Sequence, residues 1–249
     1  MICKNCKNEF EGEFCKYCGQ SSKVERINWK YLSNSIADSV FQINHGFLYT
    51  TKKLLLSPGK SLKDFFLGKR IRFYKPFAFL LISTTIFLLS TELIGNETFI
   101  DDFFNGFRNA SDDNPNKPAN FKIFDFFVRN QTYLFLLIVP LFSVASFIPF
   151  RKYKYNFSEH LILNLYITGE QLLIYSLFSF IKDRDSLFTI VPLVLGFLYN
   201  LYVYNQLFSE VNWLNRNLKF TLTYFIYLLL LNIALMILVI ITTANSVYN

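Results

Sequence analysis

Five runs of hydrophobic residues dominate the last two thirds of this 249-residue chain. Each is close to the roughly 20 residues that a helix needs to cross the hydrocarbon core of a bilayer. Only the third run carries a charge well within it, at Glu170. We therefore predict an all-α polytopic membrane protein with about five transmembrane helices, over Pro76–Ile94, Gln131–Phe150, Leu161–Ile181, Leu187–Tyr204 and Phe220–Thr242.

The segment between residues 28 and 75 is also helical in pattern, but its polarity is mixed. The Ser57-Pro58-Gly59 sequence predicts the end of one short helix, and Ser61 can cap the next. Short helices with Lys on one face and Phe or Leu on the other are typical of the membrane surface. The alternative is that these helices pack beneath the transmembrane bundle, with their lysines setting the topology.

Basic residues are concentrated before the first hydrophobic run. Residues 1–75 contain 14 Lys or Arg and 6 Asp or Glu, whereas residues 76–249 contain 11 and 12. Cytoplasmic flanks of transmembrane helices are enriched in Lys and Arg, so we predict a cytoplasmic N-terminus. The same residues are candidates for contact with anionic lipid headgroups, namely Lys60, Lys63, Lys69, Arg70, Arg72 and Lys75.

The loops between the hydrophobic runs agree with this orientation. The loop at 151–154 is compact and basic, which places it inside, and 205–219 fits the same side. The long loop at 95–130 and the neutral hairpin at 182–185 are then outside. An odd number of spans predicts an extracytoplasmic C-terminus as well.

All four cysteines lie near the N-terminus, in two Cys-x-x-Cys pairs separated by eight residues: Cys3, Cys6, Cys15 and Cys18. Four thiolates at this spacing can surround one structural zinc ion and leave no open position for catalysis. A reducing cytosol disfavours disulfides. Between the pairs we predict a short hairpin in which Phe10 and Phe14 cover the metal. Lys7 stands where the second pair has Gly19.

Within the third hydrophobic run, two polar features predict an intramembrane site. Glu170 is the first, because an ionisable side chain in a membrane is costly enough to suggest a function. The alternative is a protonated Glu170 hydrogen-bonded to a neighbouring helix, through Asn200 or Asn232. The second feature is a stripe at helical spacing that faces either a wet cavity or another helix, formed by His160, Asn164, Thr168, Gln171 and Tyr175.

Composition narrows the function classes. Aromatic residues make up 19% of the chain, more than a soluble domain can bury, and no apolar signal peptide precedes the cysteines. The basic charge is explained by membrane topology, so nucleic acid is not the expected partner. With His45 and His160 as the two histidines and no Gly-rich phosphate loop, a non-enzymatic role is favoured. An enzyme would have to use Glu159, His160 and Glu170.

Two segments carry a resemblance to known proteins. CKNCKNEFEGEFCKYCGQ, at residues 3–20, is similar to the zinc-ribbon heads of bacterial membrane proteins. GFLYTTKKLLLSPGKSLKDFFLGKRIRFYKPFAFLL, at residues 46–81, resembles the uncharacterised bacterial membrane family catalogued as domain of unknown function 3667. The later Tyr155 and Glu159-His160-Leu161 fit the same pattern. This resemblance implies a bacterial inner (cytoplasmic) membrane protein, and it implies no activity or catalytic residues.

Together these observations predict three parts, a zinc ribbon at 1–22, amphipathic juxtamembrane helices at 23–75 and a five-helix transmembrane domain at 76–249. The expected function is that of a scaffold or regulatory protein whose ribbon binds a cytosolic protein partner. The alternative is a small permease or lipid-handling protein that uses Glu170 in an intramembrane polar site.

Overall fold

The computed structural model describes residues 1–39, 46–95, 98, 101, 126, 128–181 and 186–247. The predicted outer hairpin at 182–185 and His45 lie outside these residues, as does most of the predicted loop at 95–130. The helices of eight residues or more in the described part are α1 (Trp29–Ser39), α2 (Phe47–Leu56), α3 (Pro58–Phe66), α4 (Pro76–Ile94), α5 (Gln131–Phe150), α6 (Phe157–Phe178), α7 (Ser186–Leu207) and α8 (Trp213–Val247).

The last five of these helices, α4 to α8, are long and apolar enough to cross a membrane, which confirms the predicted fold class. The first two match the predicted spans, whereas α6 begins earlier than predicted, at Phe157. Asn156 extends α6 because it caps the helix. Its side-chain oxygen accepts a hydrogen bond from the Glu159 backbone amide, and the Glu159 carboxylate accepts one from the Asn156 backbone amide. A hydropathy pattern does not detect such a polar first turn.

Helix α6 lies at the centre of the bundle, where it packs against α4, α5 and α7. Gly169 allows its close approach to α4, because a Cβ there would stand 2.7 Å from the Phe79 ring. The Tyr166 hydroxyl donates a hydrogen bond of 2.6 Å to the Tyr74 carbonyl. By contrast, α8 leaves apolar side chains such as Phe225 and Met236 largely exposed. These side chains suit contact with lipid.

Buried side chains of α2 and α3 pack against the bundle, as the second of the two sequence-based alternatives expects, while other leucines of α2 are exposed. Leu54, Leu62 and Phe65 are buried in the main core. The prediction that Ser61 caps the third helix is wrong, since α3 begins at Pro58 and Ser61 lies within it. Proline is favoured in the first helical turn, where its missing N–H is not needed.

The N-terminal part and the predicted inner loops lie at the same end of the bundle. Arg26 Nη2 donates to the Lys154 carbonyl at 2.6 Å, and the Asn156 side-chain amide donates to the Ile27 carbonyl at 2.9 Å. On the other side, Lys63 Nζ donates to Ser209 Oγ at 3.0 Å. The ends of α5 and α7 and the starts of α6 and α8 therefore lie at the end of the bundle that carries the segment around residues 26–27 and helix α3.

Helices α3 and α7 approach each other closely at Gly59. A Cβ at this position would stand 2.3 Å from the Gln206 Cβ and 2.5 Å from its carbonyl carbon. We expect Gly59→Ala to lower the free energy of unfolding by about 1–3 kcal/mol, because backbone must move to relieve the overlap. Thermal unfolding of the detergent-solubilised protein measures this. Lys60→Ala, an exposed neighbour on the same helix, serves as control, and equal stability of both variants would contradict the expectation.

Candidate metal centre and intramembrane polar site

The four cysteine sulfurs form one cluster. All the Sγ atoms lie within 4.8 Å of one another, and two separations, Cys3 to Cys18 and Cys6 to Cys15, are 3.6 Å. Tetrahedral zinc with Zn–S bonds of about 2.3 Å separates its sulfurs by about 3.8 Å. The cluster can therefore hold one metal ion, and its four sulfurs would complete the coordination of that ion.

Each Cys-x-x-Cys pair forms the turn of its own small hairpin. Isolated antiparallel bridges join Ile2 to Glu9 and Phe14 to Ser21. The predicted hairpin between the pairs is therefore wrong. Lys7 has a φ of 66° where Gly19 has 75°, so both turns use the left-handed conformation, and Lys7 adopts it despite its side chain.

Of the two phenylalanines expected to cover the metal, only Phe10 does so. Phe10 is buried against the cysteines, whereas the Phe14 side chain is 63% exposed. Phe14 belongs to the hairpin of the second cysteine pair, where it bridges to Ser21, and it is not among the residues that pack around the cysteines. Sequence alternation within a five-residue segment could not distinguish the two rings.

The ribbon, defined here as residues 1–22, is attached to the turn between α3 and α4. The Gln20 side-chain oxygen accepts from the backbone amides of Arg70 and Ile71 at 3.2 and 3.1 Å. Gly68, with a φ of 99°, lets Val24 approach to a distance that a Cβ would prevent. The metal cluster is therefore held in a defined position relative to the first transmembrane helix.

An ion pair between the largely exposed Arg26 and the buried Glu159 holds the segment after the ribbon to α6. Arg26 Nε and Nη2 donate to the two carboxylate oxygens of Glu159 at 3.0 and 2.8 Å. The Glu159 carboxylate raises the pKa of Arg26, because its hydrogen bonds favour the charged guanidinium. Glu159 thus has a protein partner, and no feature of the sequence pointed to Arg26 as that partner.

The part of the predicted polar stripe nearest the start of α6 contacts α5. His160 Nδ1 lies 3.0 Å from Ser146 Oγ, and Asn164 Nδ2 donates to Ser143 Oγ at 3.2 Å. His160 Nε2 is buried without a hydrogen-bond partner among the described residues. These two stripe residues therefore bind a neighbouring helix. The sequence signal for this contact was a pair of serines three residues apart in a hydrophobic run.

The part of the stripe nearer the end of α6 faces a cavity of about 200 Å³. Thr168, Gln171 and Tyr175 line it from α6, and Asn200 and Tyr224 line it from α7 and α8. The Asn200 amide donates to the Tyr224 hydroxyl at 3.0 Å, while the Asn200 oxygen has no partner within the described residues. Asn164 also lines this cavity, and Gln171 Nε2 donates to the Gly196 carbonyl of α7 at 2.7 Å, so the stripe faces both a cavity and neighbouring helices.

Glu170 is fully buried and does not line this cavity. Neither of its carboxylate oxygens has a hydrogen-bond partner in the part of the chain that the structure describes. The partners suggested from the sequence bond elsewhere, Asn200 to Tyr224 and Asn232 to the Leu228 carbonyl of its own helix.

The six predicted headgroup residues differ in their contacts. Lys69 pairs with Asp64 at 2.6 Å, and Lys63 bonds to Ser209. Lys60 and Arg72 are exposed to solvent. Arg70 and Lys75 line a cleft beneath the ribbon.

One segment of the chain matches a known protein family. Residues 44–88 match the family described as protein of unknown function, DUF3667. The match confirms the resemblance and covers less than a fifth of the chain. Neither the curated proteins nor the solved structures contain a match to this chain.

The DUF3667 segment contains α2, α3 and most of α4. Its distinctive residues have structural roles: Thr50 Oγ1 accepts from the Tyr74 amide at 2.8 Å, Gly59 contacts α7, and Gly68 contacts Val24. The segment therefore joins the ribbon to the bundle.

Proposed function

We propose that this integral membrane protein is a non-enzymatic scaffold or regulatory protein of the bacterial inner membrane. Its ribbon holds a structural zinc ion on the cytosolic side and binds a cytosolic protein partner there. The closed set of four sulfurs supports zinc, for which cysteine thiolates are preferred ligands. The basic residues at the ribbon end of the bundle support the orientation.

The main support for this proposal is that the ribbon exposes apolar side chains while it is hydrogen-bonded to the rest of the protein. Ile2 and Tyr17 are 64% and 62% exposed, although the ribbon is small and has few side chains to spare. Contiguous apolar patches on a protein surface mark protein contacts, and we place Ile2 and Tyr17 in one such patch. Because Gln20 bonds the ribbon to the turn before α4, a partner bound there would be held at a fixed place on the membrane.

Photo-crosslinking in native membranes tests this proposal. A benzophenone amino acid at Tyr17 is expected to capture one cytosolic protein, while the same group at the exposed Lys60 is not. The captured protein, once purified, should bind the full chain at least about tenfold more weakly when Ile2 and Tyr17 are both changed to Ser. Equal crosslinking from both positions, or unchanged affinity of the double variant, would contradict a ribbon partner.

The second candidate is a permease or lipid-handling role, and Glu170 supports it. A carboxyl group that is buried at membrane depth without a hydrogen-bond partner among the described residues is costly. Such a group can carry a proton or pair with a transported cation.

Proton flux into liposomes provides the test of this role. Under this second role the wild-type protein carries protons under an imposed potential, and Glu170→Gln lowers this flux at least about tenfold because glutamine cannot ionise. Glu92→Gln, which removes an exposed carboxylate at the end of α4, should leave the flux unchanged. A wild-type flux equal to that of empty liposomes would exclude proton transport.

A further inference from the structure

A basic cleft of about 600 Å³ lies between the ribbon, the start of α1 and the turn before α4. Its lining includes four cations, Lys23, Lys30, Arg70 and Lys75, and a single carboxylate, that of Glu25. The ribbon contributes Gln20 and Ser21 to one wall. An anion in this cleft would therefore meet a positive potential from several sides.

Arg70 is the best-positioned of these cations. The Tyr31 ring lies 4.5 Å from its guanidinium carbon, and its nitrogens donate to the carbonyls of Phe65 and Glu25 at 3.1 and 3.0 Å. Among the described residues no carboxylate lies within 4.0 Å of this guanidinium, since Glu159 is taken by Arg26. Burial lowers the pKa of Arg70, because a low dielectric disfavours the charged guanidinium.

An apolar cavity of about 140 Å³ adjoins the cleft. It lies between α1, α4, α5 and α6, and its lining includes Pro76, Leu136, Val139 and Leu165. Tyr31 lines both spaces and is the only polar side chain found in the apolar one, as far as the structure describes the chain. Lys75, in the cleft, directly precedes Pro76, where the first transmembrane helix begins.

We propose that the cleft and the apolar cavity form one binding site for a lipid with an anionic phosphate headgroup. The phosphate accepts hydrogen bonds from Arg70, with Lys30 and Lys75 beside it, because a planar guanidinium suits a phosphate. The beginning of an acyl chain occupies the apolar cavity, which is too small for a whole chain, and the remainder extends into the bilayer. This site goes beyond a ribbon that binds a protein partner, and it selects two of the six predicted headgroup residues.

The geometry at the membrane boundary supports a lipid over a soluble phosphate compound. A soluble anion would use the cleft alone and gain nothing from the Leu136 cavity. A phospholipid places charge and hydrocarbon next to each other, as Lys75 and Pro76 do here. The two sources of phosphate are therefore distinguished by whether the apolar cavity matters for binding.

The test uses the purified full chain in a neutral detergent, titrated separately with dioctanoyl phosphatidylglycerol, dioctanoyl phosphatidylcholine and glycerol 1-phosphate. We expect phosphatidylglycerol to bind at least about tenfold more tightly than phosphatidylcholine, and Arg70→Met to weaken it at least about tenfold. Lys30→Gln, on an exposed part of α1, should weaken it about fivefold. Leu136→Trp, which fills the cavity, should weaken phosphatidylglycerol but leave glycerol 1-phosphate unchanged.

Arg72→Gln is the matched control, because Arg72 is an exposed cation two residues from Arg70 that does not line the cleft. Wild-type affinity in Lys30→Gln and in a folded Arg70→Met variant would overturn the site. Should Arg70→Met fail to fold, Lys30→Gln and Leu136→Trp decide the question. Tight glycerol 1-phosphate binding together with a silent Leu136→Trp would overturn the lipid and assign a soluble phosphate compound. None of these outcomes bears on the proposed protein partner.

Discussion

Replacing Cys15 and Cys18 together by Ser is expected to abolish metal binding and to unfold the ribbon. The structure brings four sulfurs within 4.8 Å of one another, and the ribbon core consists of these cysteines and Phe10. Structural zinc contributes about 10–16 kcal/mol to the folding of such small domains, so little else can hold this one together. Elemental analysis of the purified protein and limited proteolysis of residues 1–22 measure the two effects.

The control for this experiment is Tyr17→Ser, which lies in the same cysteine pair but is exposed. It should retain one metal ion per chain and resist the protease. We expect the transmembrane helices of the double cysteine variant to stay folded, because the main core contains no ribbon residue. One tightly held zinc ion in that double variant would show that the four-thiolate assignment is wrong.

Arg26→Gln is expected to destabilise the attachment of the N-terminal part to the bundle by up to about 3 kcal/mol. The substitution leaves the Glu159 carboxylate buried without its cation, and removal of one partner of a buried pair is strongly destabilising. The loss is not expected to exceed about 3 kcal/mol, because the Arg26 side chain is 61% exposed and the Asn156 backbone amide still donates to Glu159. Protease cleavage between residues 22 and 28, followed against urea concentration, measures the change.

Lys23→Gln is the comparison for Arg26→Gln, since Lys23 pairs with Glu13 at 3.3 Å while both side chains are largely exposed. Its effect should stay below about 1 kcal/mol. Glu159→Gln combined with Arg26→Gln should recover part of the lost stability, because the double variant no longer buries an unpaired charge. If the single variants at Arg26 and Lys23 were equally stable, Glu159 would not depend on Arg26.

Much of the architecture was predictable because its determinants are local. Hydropathy is summed over about 20 neighbouring residues, so the span at Pro76–Ile94 was predicted with its observed bounds. The cysteine cluster was predictable for a similar reason, since each pair of ligands comes from one tight turn. Local patterns were less reliable at helix ends, where Asn156 and Pro58 set boundaries through single residues.

The sequence by itself determined that five apolar helices follow a four-cysteine module, and that most of the positive charge precedes the first of them. Only the tertiary structure decided which polar groups have partners. Arg26 meets Glu159 across 133 residues of chain, His160 meets Ser146 on another helix, and Glu170 meets no hydrogen-bonding group among the described residues. Such contacts depend on how helices approach and rotate, which is set by packing over the whole bundle and not by any one segment.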